Sequence, residues 1–284
     1  MRQIGPFKLY TKKPNDIKWG SLYTMEVVLP VFEQKERTVR VFLPEGYSTD
    51  KKYPVLYMAD GQNIVDKYTT AYGAWDIDVR EKELVEQGFT PFIVVGVDCP
   101  KRGWLERTRE YTLQDVKISR KNAGRFYENQ NPCSDALMDY IVNQLKPLID
   151  QYFSTNPDKE HTAFGGSSMG GIAAFNYATK RNDIFGFSLC FSPAFFLYEK
   201  KELYDYVDSL NINPHDYGKF FFYSGAVEFE HSFLEPTKEM YQYFVSKGFD
   251  KDHVGLKIDK TQKHCEAAWN KHFAEGMKFW LKDL

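Results

Sequence analysis

The stretch Thr162–Lys180, TAFGGSSMGGIAAFNYATK, decides the fold of this chain. Its first residues, Thr162–Phe164, predict a short strand, the glycine cluster Gly165–Gly171 follows, and the residues from Ser168 to about Lys180 predict a helix. A strand that turns sharply into a helix brings backbone segments close together, and only small residues tolerate that crowding. The stretch therefore predicts a strand, a tight turn and a helix in an α/β protein.

Strand and helix patterns alternate along the rest of the chain. The apolar runs Pro54–Ala59 and Phe92–Val97 predict strands that are buried on both faces, as in parallel sheets. The β-rich runs Leu22–Leu29 and Thr38–Leu43 predict an antiparallel pair near the N-terminus. We expect one α/β domain over residues 1–284, with a central, mostly parallel sheet of about eight strands, helices on both faces, and residues 1–20 as an N-terminal extension.

One connection stands out by its length. Residues 98–132 are polar, rich in Arg, Lys and Asn, and show no convincing periodicity. Long connections of this kind are usually functional or mobile.

Composition excludes several kinds of function. The 284 residues include 37 Lys and Arg against 39 Asp and Glu, so a net charge of -2 provides no basic surface for nucleic acid. The longest apolar stretch, Phe185–Tyr198, contains Ser188, Ser192 and Pro193 and is too short for a membrane helix. Lysines interrupt the apolar residues of Met1–Asn15, unlike a secretory signal. We expect no nucleic-acid or membrane partner and a cytoplasmic location.

The four cysteines, Cys99, Cys133, Cys190 and Cys265, are widely spread and include no CxxC pair. Without a secretion signal they predict reduced thiols rather than disulfides. The spacing also argues against a structural zinc site, which needs paired ligands. We expect no metal and no organic cofactor.

The glycine cluster also contains a candidate nucleophile. Gly166, Ser168 and Gly170 match the pattern G-x-S-x-G, which lifts a serine Oγ above the sheet of an α/β protein. A pattern centred on Ser167 would place Met169 where the second glycine belongs. A plain tight turn is the competing interpretation. The sequence does not match a phosphate-binding loop, because Gly170 is followed by Gly171 and Ile172 rather than by Lys and then Ser or Thr.

A nucleophilic serine needs a base, and the base needs a carboxylate that orients it. In this topology both residues follow the serine in the sequence, first the acid and then the histidine. His264 lies between the last predicted strand and the last predicted helix, at the sheet edge that carries sites in α/β proteins. His253 precedes that strand and His272 falls within the terminal helix. His264 is therefore the predicted base.

The acid should follow the preceding strand, Phe220–Tyr223. Glu228 and Glu230 are both available there, and Glu228 is preferred because it is closer to the end of the strand. The oxyanion of a tetrahedral intermediate also needs two N–H donors. We predict the backbone N–H of Met169 and that of Gln62, in the loop after the strand Pro54–Ala59.

These residues resemble the putative esterase family of α/β-hydrolases, which includes siderophore esterases, feruloyl and acetyl xylan esterases, S-formylglutathione hydrolase and the mycobacterial mycolyltransferases. The resemblance covers the chain from about Thr38 onward. It rests on Tyr53–Tyr57 leading into Asp60–Asn63, Ile93–Asp98, Arg109–Thr112, Gly165–Gly171, Ser192–Pro193, and His264 with Trp269. It implies a serine triad with Ser168 as nucleophile, His264 as base and an acid at the Glu228 position.

Specificity is predicted from the same long connection. Trp104 and Arg109, with Phe195 after the Ser-Pro pair, are candidate substrate-binding residues, and Arg102, Arg107, Arg125 and Phe196 lie near them in the sequence. Aromatic and cationic side chains would suit an aromatic or anionic acyl ester, including a catecholate. The alternative is that Trp104 packs the loop and that the arginines pair with Glu106 and Glu110.

The resulting hypothesis is hydrolysis of a small-molecule or carbohydrate ester through an acyl-enzyme on Ser168. Acyl transfer to an acceptor other than water would use the same residues, and a non-catalytic binding scaffold would have the same fold. The sequence leaves the oligomeric state open.

Overall fold

A computed structural model describes residues 3–11, 17–29, 32, 36–65, 73–101, 104–123 and 131–284. The strands are β1 Gln3–Ile4, β2 Phe7–Leu9, β3 Ser21–Val28, β4 Glu36–Leu43, β5 Val55–Ala59, β6 Ile93–Val97, β7 Thr162–Ser167, β8 Phe187–Phe191, β9 Lys219–Ser224 and β10 Val254–Ile258. The helices are α1 Ile77–Glu86, α2 Trp104–Tyr111, α3 Arg120–Ala123, α4 Ser134–Tyr140, α5 Lys146–Tyr152, α6 Met169–Lys180, α7 Lys200–Ser209, α8 His231–Ser246 and α9 Glu266–Leu281. A π-helical turn, Ile141–Leu145, joins α4 to α5.

The strands form one sheet in the order β1-β2-β3-β4-β6-β5-β7-β8-β9-β10. Pairing is antiparallel from β1 to β4 and between β4 and β6, and parallel from β6 through β5 to β10. The predicted mostly parallel sheet is therefore confirmed. Strands β5 to β8 are buried throughout, which explains their nearly continuous apolar sequences.

Two apolar cores lie on the two faces of the sheet. One contains the buried residues of α4, α5, α6, α7 and α8. The other contains those of α1 and α9, with Trp75 stacked on Trp269 at 5.9 Å between ring centroids. Helices thus cover both faces, as predicted, and the carboxyl edge of the parallel strands stays available for a site.

The described residues form ten strands rather than about eight. The difference comes from β1 and β2, which lie within residues 1–20 and pair along the antiparallel edge of the same sheet, with Leu9 opposite Tyr23. Strands of two and three residues contain too little alternation to be recognised in a sequence. Phe7 anchors this edge, because its side chain is fully buried and its ring meets that of Phe153 at 5.0 Å.

The long connection of residues 98–132 contains two short helices, α2 and α3, which its sequence pattern does not predict. Arg37 of β4 forms a buried ion pair with Glu110 and fixes the second half of α2 against the sheet. The predicted residues Arg102 and Arg125 lie outside the described part of the chain. Trp104 begins α2, but its side chain is also outside the described part.

The turn from β7 into α6 is as tight as its glycines predict. A Cβ on Gly166 would lie 2.5 Å from the backbone oxygen of Gly170, so strand and helix could not approach this closely with a larger residue. Ser168 occupies the turn with φ 59 and ψ -121. A positive φ is uncommon for a non-glycine residue and marks a strained position that the surrounding structure must hold.

Among the residues that the structure describes, no helix is long and apolar enough to cross a membrane. The four cysteines are free thiols.

Candidate active site

The carboxyl ends of neighbouring parallel strands bring the candidate residues to one edge of the sheet. Ser168 follows β7, Ser192 follows β8, Glu230 lies in the segment after β9, and His264 lies in the segment after β10. Because these four strands are consecutive in the sheet, residues that are far apart in the sequence lie at the same edge.

Ser168 is held by its backbone. Its N–H donates to the carbonyl of Phe191 at 2.9 Å, and its own carbonyl accepts from the N–H groups of Gly171 and Ile172 at 3.1 and 3.2 Å. Its side chain hydrogen-bonds to no other described residue, and the residue is 8% exposed. The turn therefore fixes the main chain while the hydroxyl keeps its hydrogen-bonding capacity, and serine–histidine contacts often tighten only when substrate is bound.

The imidazole of His264 is held by a carboxylate and by three aromatic rings. Its Nδ1 contacts Oε2 of Glu230. Its ring stacks on Phe233 with centroids 4.2 Å apart, and the edges of Phe229 and Trp269 lie at 5.3 and 4.9 Å. Since Nδ1 is occupied, Nε2 is the nitrogen available for proton transfer.

The expectation that Glu228 lies beside His264 is wrong. The Glu228 side chain is 65% exposed and accepts from Nζ of Lys263 at 2.5 Å. Glu230, the alternative that the sequence left open, is fully buried and contacts the imidazole. The reason is local: residues 228–230 form one turn of 3-10 helix, so side chains two positions apart face different directions.

Further donors fix the Glu230 carboxylate. Its Oε1 accepts from the backbone N–H of Gly225 at 2.8 Å and from the hydroxyl of Ser192. The indole N–H of Trp269 in turn donates to the Ser192 oxygen at 3.0 Å. Ser192 and Trp269 had no predicted role, although both lie among the residues on which the family resemblance rests.

The two predicted oxyanion donors lie at the starts of helical segments. Met169 is the first residue of α6, and Gln62 lies in the 3-10 turn Gly61–Asn63 that follows β5. N–H groups in the first turn of a helix have no partner within that helix. The Gln62 side chain points away to Cys99, whose N–H donates to Oε1 at 3.0 Å. The role of both N–H groups stays a prediction.

An ion pair clamps the start of the Gln62 turn. Both side-chain oxygens of Asp60 accept from Arg107 of α2 at 2.7 Å, and the Asp60 N–H donates to the hydroxyl of Tyr111 at 3.1 Å. Burial alone would lower the pKa of Arg107, but the Asp60 carboxylate raises it above its usual value. Asp60 has φ 57, so this clamp stabilises a strained residue beside the predicted oxyanion donor. The Arg107 guanidinium therefore has a structural partner, the Asp60 carboxylate.

Glu266 connects the same turn to the segment that carries His264. Its Oε1 accepts from Nδ2 of Asn63 at 2.8 Å, and its Oε2 is buried without a hydrogen-bond partner. Burial and, after it, the charge of Asp60 raise the pKa of Glu266 to about 7. A neutral carboxyl is the less costly form in such a place.

The predicted substrate-binding residues have ordinary structural contacts. Arg109 contacts Glu106 at 3.5 Å and donates to the carbonyl of Asn131 at 3.0 Å, in agreement with the alternative that loop arginines pair locally. Phe195 is 2% exposed and its ring packs against Phe175 at 5.0 Å. Whether either residue touches a substrate stays a prediction.

A different aromatic surface lies next to His264. Phe229 is 53% exposed, and its ring meets that of Phe196 at 6.3 Å. Phe196 borders a cavity of about 430 Å³ between α7, α8 and the 3-10 turn Phe195–Leu197. The rings of Phe196 and Phe229 therefore lie between this cavity and the imidazole, and Phe195 also borders the cavity.

A family model described as Putative esterase matches residues 32–276 of the chain. The chain belongs to this family. The match covers most of the sequence and includes Ser168, Glu230 and His264. Among curated relatives of this esterase, the uncharacterized protein YbbA of Bacillus subtilis (strain 168) is 24% identical over 252 residues, which are 86% of this chain and 92% of the relative.

Solved esterase structures share the fold. A ferulic acid esterase from Anaeromyces mucronatus, determined with ferulic acid, has a TM-score of 0.64 at 17% identity and covers 97% of each chain. The enterobactin esterase of Shigella flexneri has a TM-score of 0.66 at 14% identity over 92% of this chain and 59% of its own length. This esterase therefore has an α/β-hydrolase fold and is a carboxylic ester hydrolase.

Proposed function

We propose that the chain hydrolyses carboxylic esters through an acyl-enzyme on Ser168, with His264 as general base and acid and Glu230 as the orienting carboxylate. The observation that carries the proposal is the contact between His264 Nδ1 and the buried Glu230 carboxylate, at the sheet edge where the strained turn presents Ser168. A histidine oriented by a buried carboxylate, at the same sheet edge as a serine in a strained turn, is the arrangement that a nucleophilic serine requires.

In the acylation step, Ser168 Oγ attacks the ester carbonyl carbon while His264 Nε2 takes the hydroxyl proton. Glu230 stabilises the imidazolium that forms, and the N–H groups of Met169 and Gln62 stabilise the oxyanion. The carbon–oxygen bond to the alcohol then breaks. The alcohol leaves with the proton from His264, and the acyl group stays on Ser168.

Deacylation repeats the sequence with water. His264 Nε2 takes a proton from the water molecule as its oxygen attacks the acyl carbon, and the same N–H groups stabilise the second oxyanion. The bond to Ser168 Oγ breaks, the serine regains its proton from His264, and the carboxylic acid leaves. No step requires a metal ion or an organic cofactor.

The surroundings of His264 favour an uncharged, ring-containing acyl group of the feruloyl type. The exposed ring of Phe229 and the ring of Phe196 offer stacking surfaces on the way to the cavity. The charged residues that line the cavity are Glu199, Glu239 and Lys200, and Lys200 already pairs with Glu239 at 2.9 Å. This excess of carboxylate disfavours an anionic acyl group such as a deprotonated catecholate.

The direct test is hydrolysis of 4-nitrophenyl acetate by the wild-type chain, by Ser168→Ala and by Ser167→Ala. The neighbouring Ser167 is the matched control, because it is also buried and lies in the same turn. We expect Ser168→Ala to lower kcat by at least about 1,000-fold and Ser167→Ala to keep it within about threefold. Equal rates for Ser168→Ala and the wild type would overturn the proposal.

A further inference from the structure

Ser192 lies in the centre of the site and is too deeply buried to touch a substrate. It is fully buried, it follows β8 directly, and its φ of 43 places it in the left-handed region. Its N–H donates to the carbonyl of Tyr223 at 2.7 Å, which ties the turn to the neighbouring strand β9. A strained backbone at a buried serine often marks a functional position, so we consider what the Ser192 hydroxyl does.

The hydrogens of the cluster can be assigned from the chemistry of its members. The indole nitrogen of Trp269 can only donate, so it occupies a lone pair of the Ser192 oxygen. The carboxylate of Glu230 can only accept when ionised, so the single hydroxyl proton of Ser192 points to its Oε1. Trp269 therefore sets the direction of the Ser192 hydroxyl, and that hydroxyl fixes one oxygen of the carboxylate.

The other carboxylate oxygen faces the base. Oε1 accepts from the Ser192 hydroxyl, from the Gly225 N–H and, at 3.3 Å, from the Ser224 hydroxyl, which leaves Oε2 directed at His264 Nδ1. Trp269 also touches the imidazole by its edge, with ring centroids 4.9 Å apart. One indole thus packs against the base and, through one hydroxyl, orients the acid.

We propose that Ser192 and Trp269 are positioning residues, which form a hydrogen-bond relay from Trp269 through Ser192 to Glu230 and keep its Oε2 aligned with His264. This inference rests on the proposed function, because it assigns the relay to the same triad. The relay acts in the chemical steps and not in substrate binding, so its loss should lower kcat and leave KM nearly unchanged.

The central variant is Ser192→Gly. Glycine adopts a positive φ without strain, so the turn and its backbone hydrogen bond are retained while the hydroxyl is lost. A hydrogen bond to a charged group contributes enough that we expect kcat to fall by about 10- to 100-fold, with KM within about threefold. Ser192→Cys keeps a weak donor of similar size and should give an intermediate kcat. It also tests the relay if the glycine variant fails to fold.

Trp269→Phe removes the indole N–H and keeps a smaller aromatic ring at this position. Trp280→Phe is the matched control, because Trp280 lies on the same helix and donates its N–H to the carbonyl of Glu160, away from the site. We expect about a 3- to 10-fold lower kcat for Trp269→Phe and a change below about twofold for Trp280→Phe. In the double variant Ser192→Gly/Trp269→Phe, the loss of kcat should be smaller than the product of the two single losses, since the indole N–H acts through the hydroxyl.

A wild-type kcat in folded Ser192→Gly would overturn the relay. So would equal kcat values for Trp269→Phe and Trp280→Phe, or fully additive losses in the double variant. The wild-type and Ser168→Ala rates are measured first: if hydrolysis does not depend on Ser168, the proposed function itself fails, and the relay fails with it. A Ser168-dependent reaction that is insensitive to Ser192 rejects the relay alone.

Discussion

Two glutamates of one short turn have opposite environments. Glu230 is buried against Ser192, Gly225 and His264, whereas Glu228 is exposed and pairs with Lys263. An exposed ion pair contributes little to stability, so we expect a change at Glu228 to have little effect on the site.

The pair provides a matched test of the triad acid. Glu230→Gln keeps the size of the side chain but removes the charge that stabilises the imidazolium, so we expect kcat to fall by about 1,000- to 10,000-fold. Glu228→Gln should keep kcat within about twofold. Steady-state hydrolysis of 4-nitrophenyl acetate measures both. A large loss of kcat in Glu228→Gln, together with an active Glu230→Gln, would instead identify Glu228 as the triad acid.

Single residues differed in how far the sequence could predict them. Ser168 is marked by glycines that its turn requires, and His264 by its place after the last strand, so both signals are local. The choice between Glu228 and Glu230 depended on a 3-10 turn that no sequence pattern marked. The partners of Arg107 and Arg109 depended on packing across the long connection, which only the folded chain defines.

At the scale of elements, buried strands were the most predictable. Strands β5 and β6 agree to within one residue with the predicted runs Pro54–Ala59 and Phe92–Val97, because nearly continuous apolar residues mark them in the sequence. The short strands β1 and β2 and the helix α2 were missed, since their stability comes from pairing and ion pairs with distant residues rather than from their own pattern.

Helix α8 forms one wall of the cavity beside the site, and Ser232 and Pro236 lie on that wall. Ser232→Trp would fill the cavity from an exposed position, while Ser246→Trp places the same ring at an exposed position at the far end of the same helix. These two variants test whether the cavity takes part of the acyl group.

We expect Ser232→Trp to lower kcat/KM for methyl ferulate by about 10-fold or more and to leave methyl acetate within about twofold. The two esters share a leaving alcohol, so the comparison isolates the acyl side. Ser246→Trp should change neither value. Equal losses for both esters, or no loss for methyl ferulate, would contradict the assignment of the cavity to the acyl ring.

At the scale of the whole molecule, several acids are buried far from bulk water. Burial raises the pKa of Glu81, Glu110 and Glu266 to about 7. Hydrogen bonds to these carboxylates and nearby arginines lower the pKa, but by less than burial raises it. Glu81 is fully buried, accepts from the indole N–H of Trp19 at 2.6 Å, and has its other oxygen without a partner.

These acids make stability depend on pH. Because the folded pKa of Glu81 lies above the unfolded value of 4.5, the folded state binds the extra proton between these two values. The stabilisation is complete below the unfolded pKa and is lost as pH rises through about 7. We therefore expect the free energy of unfolding to fall from about pH 5 to about pH 8.

Glu81→Gln removes this titration and keeps an acceptor for Trp19. The decrease in unfolding free energy between about pH 5 and about pH 8 should become smaller by about 1 to 3 kcal/mol. Glu86→Gln, on the same helix but with a side chain 60% exposed, is the control and should leave the decrease unchanged. Urea unfolding at the two pH values measures this decrease in the free energy of unfolding. An equal decrease in Glu81→Gln and in the wild type would contradict the linkage.

The central claim is that Ser168 is an activated nucleophile. Intact-mass analysis after reaction with a fluorophosphonate, followed by mapping of the labelled peptide, tests it without knowledge of the natural ester. The account predicts one adduct per chain, located on Ser168 and absent from Ser168→Ala. An adduct on another residue, or none on the folded wild-type chain, would contradict it.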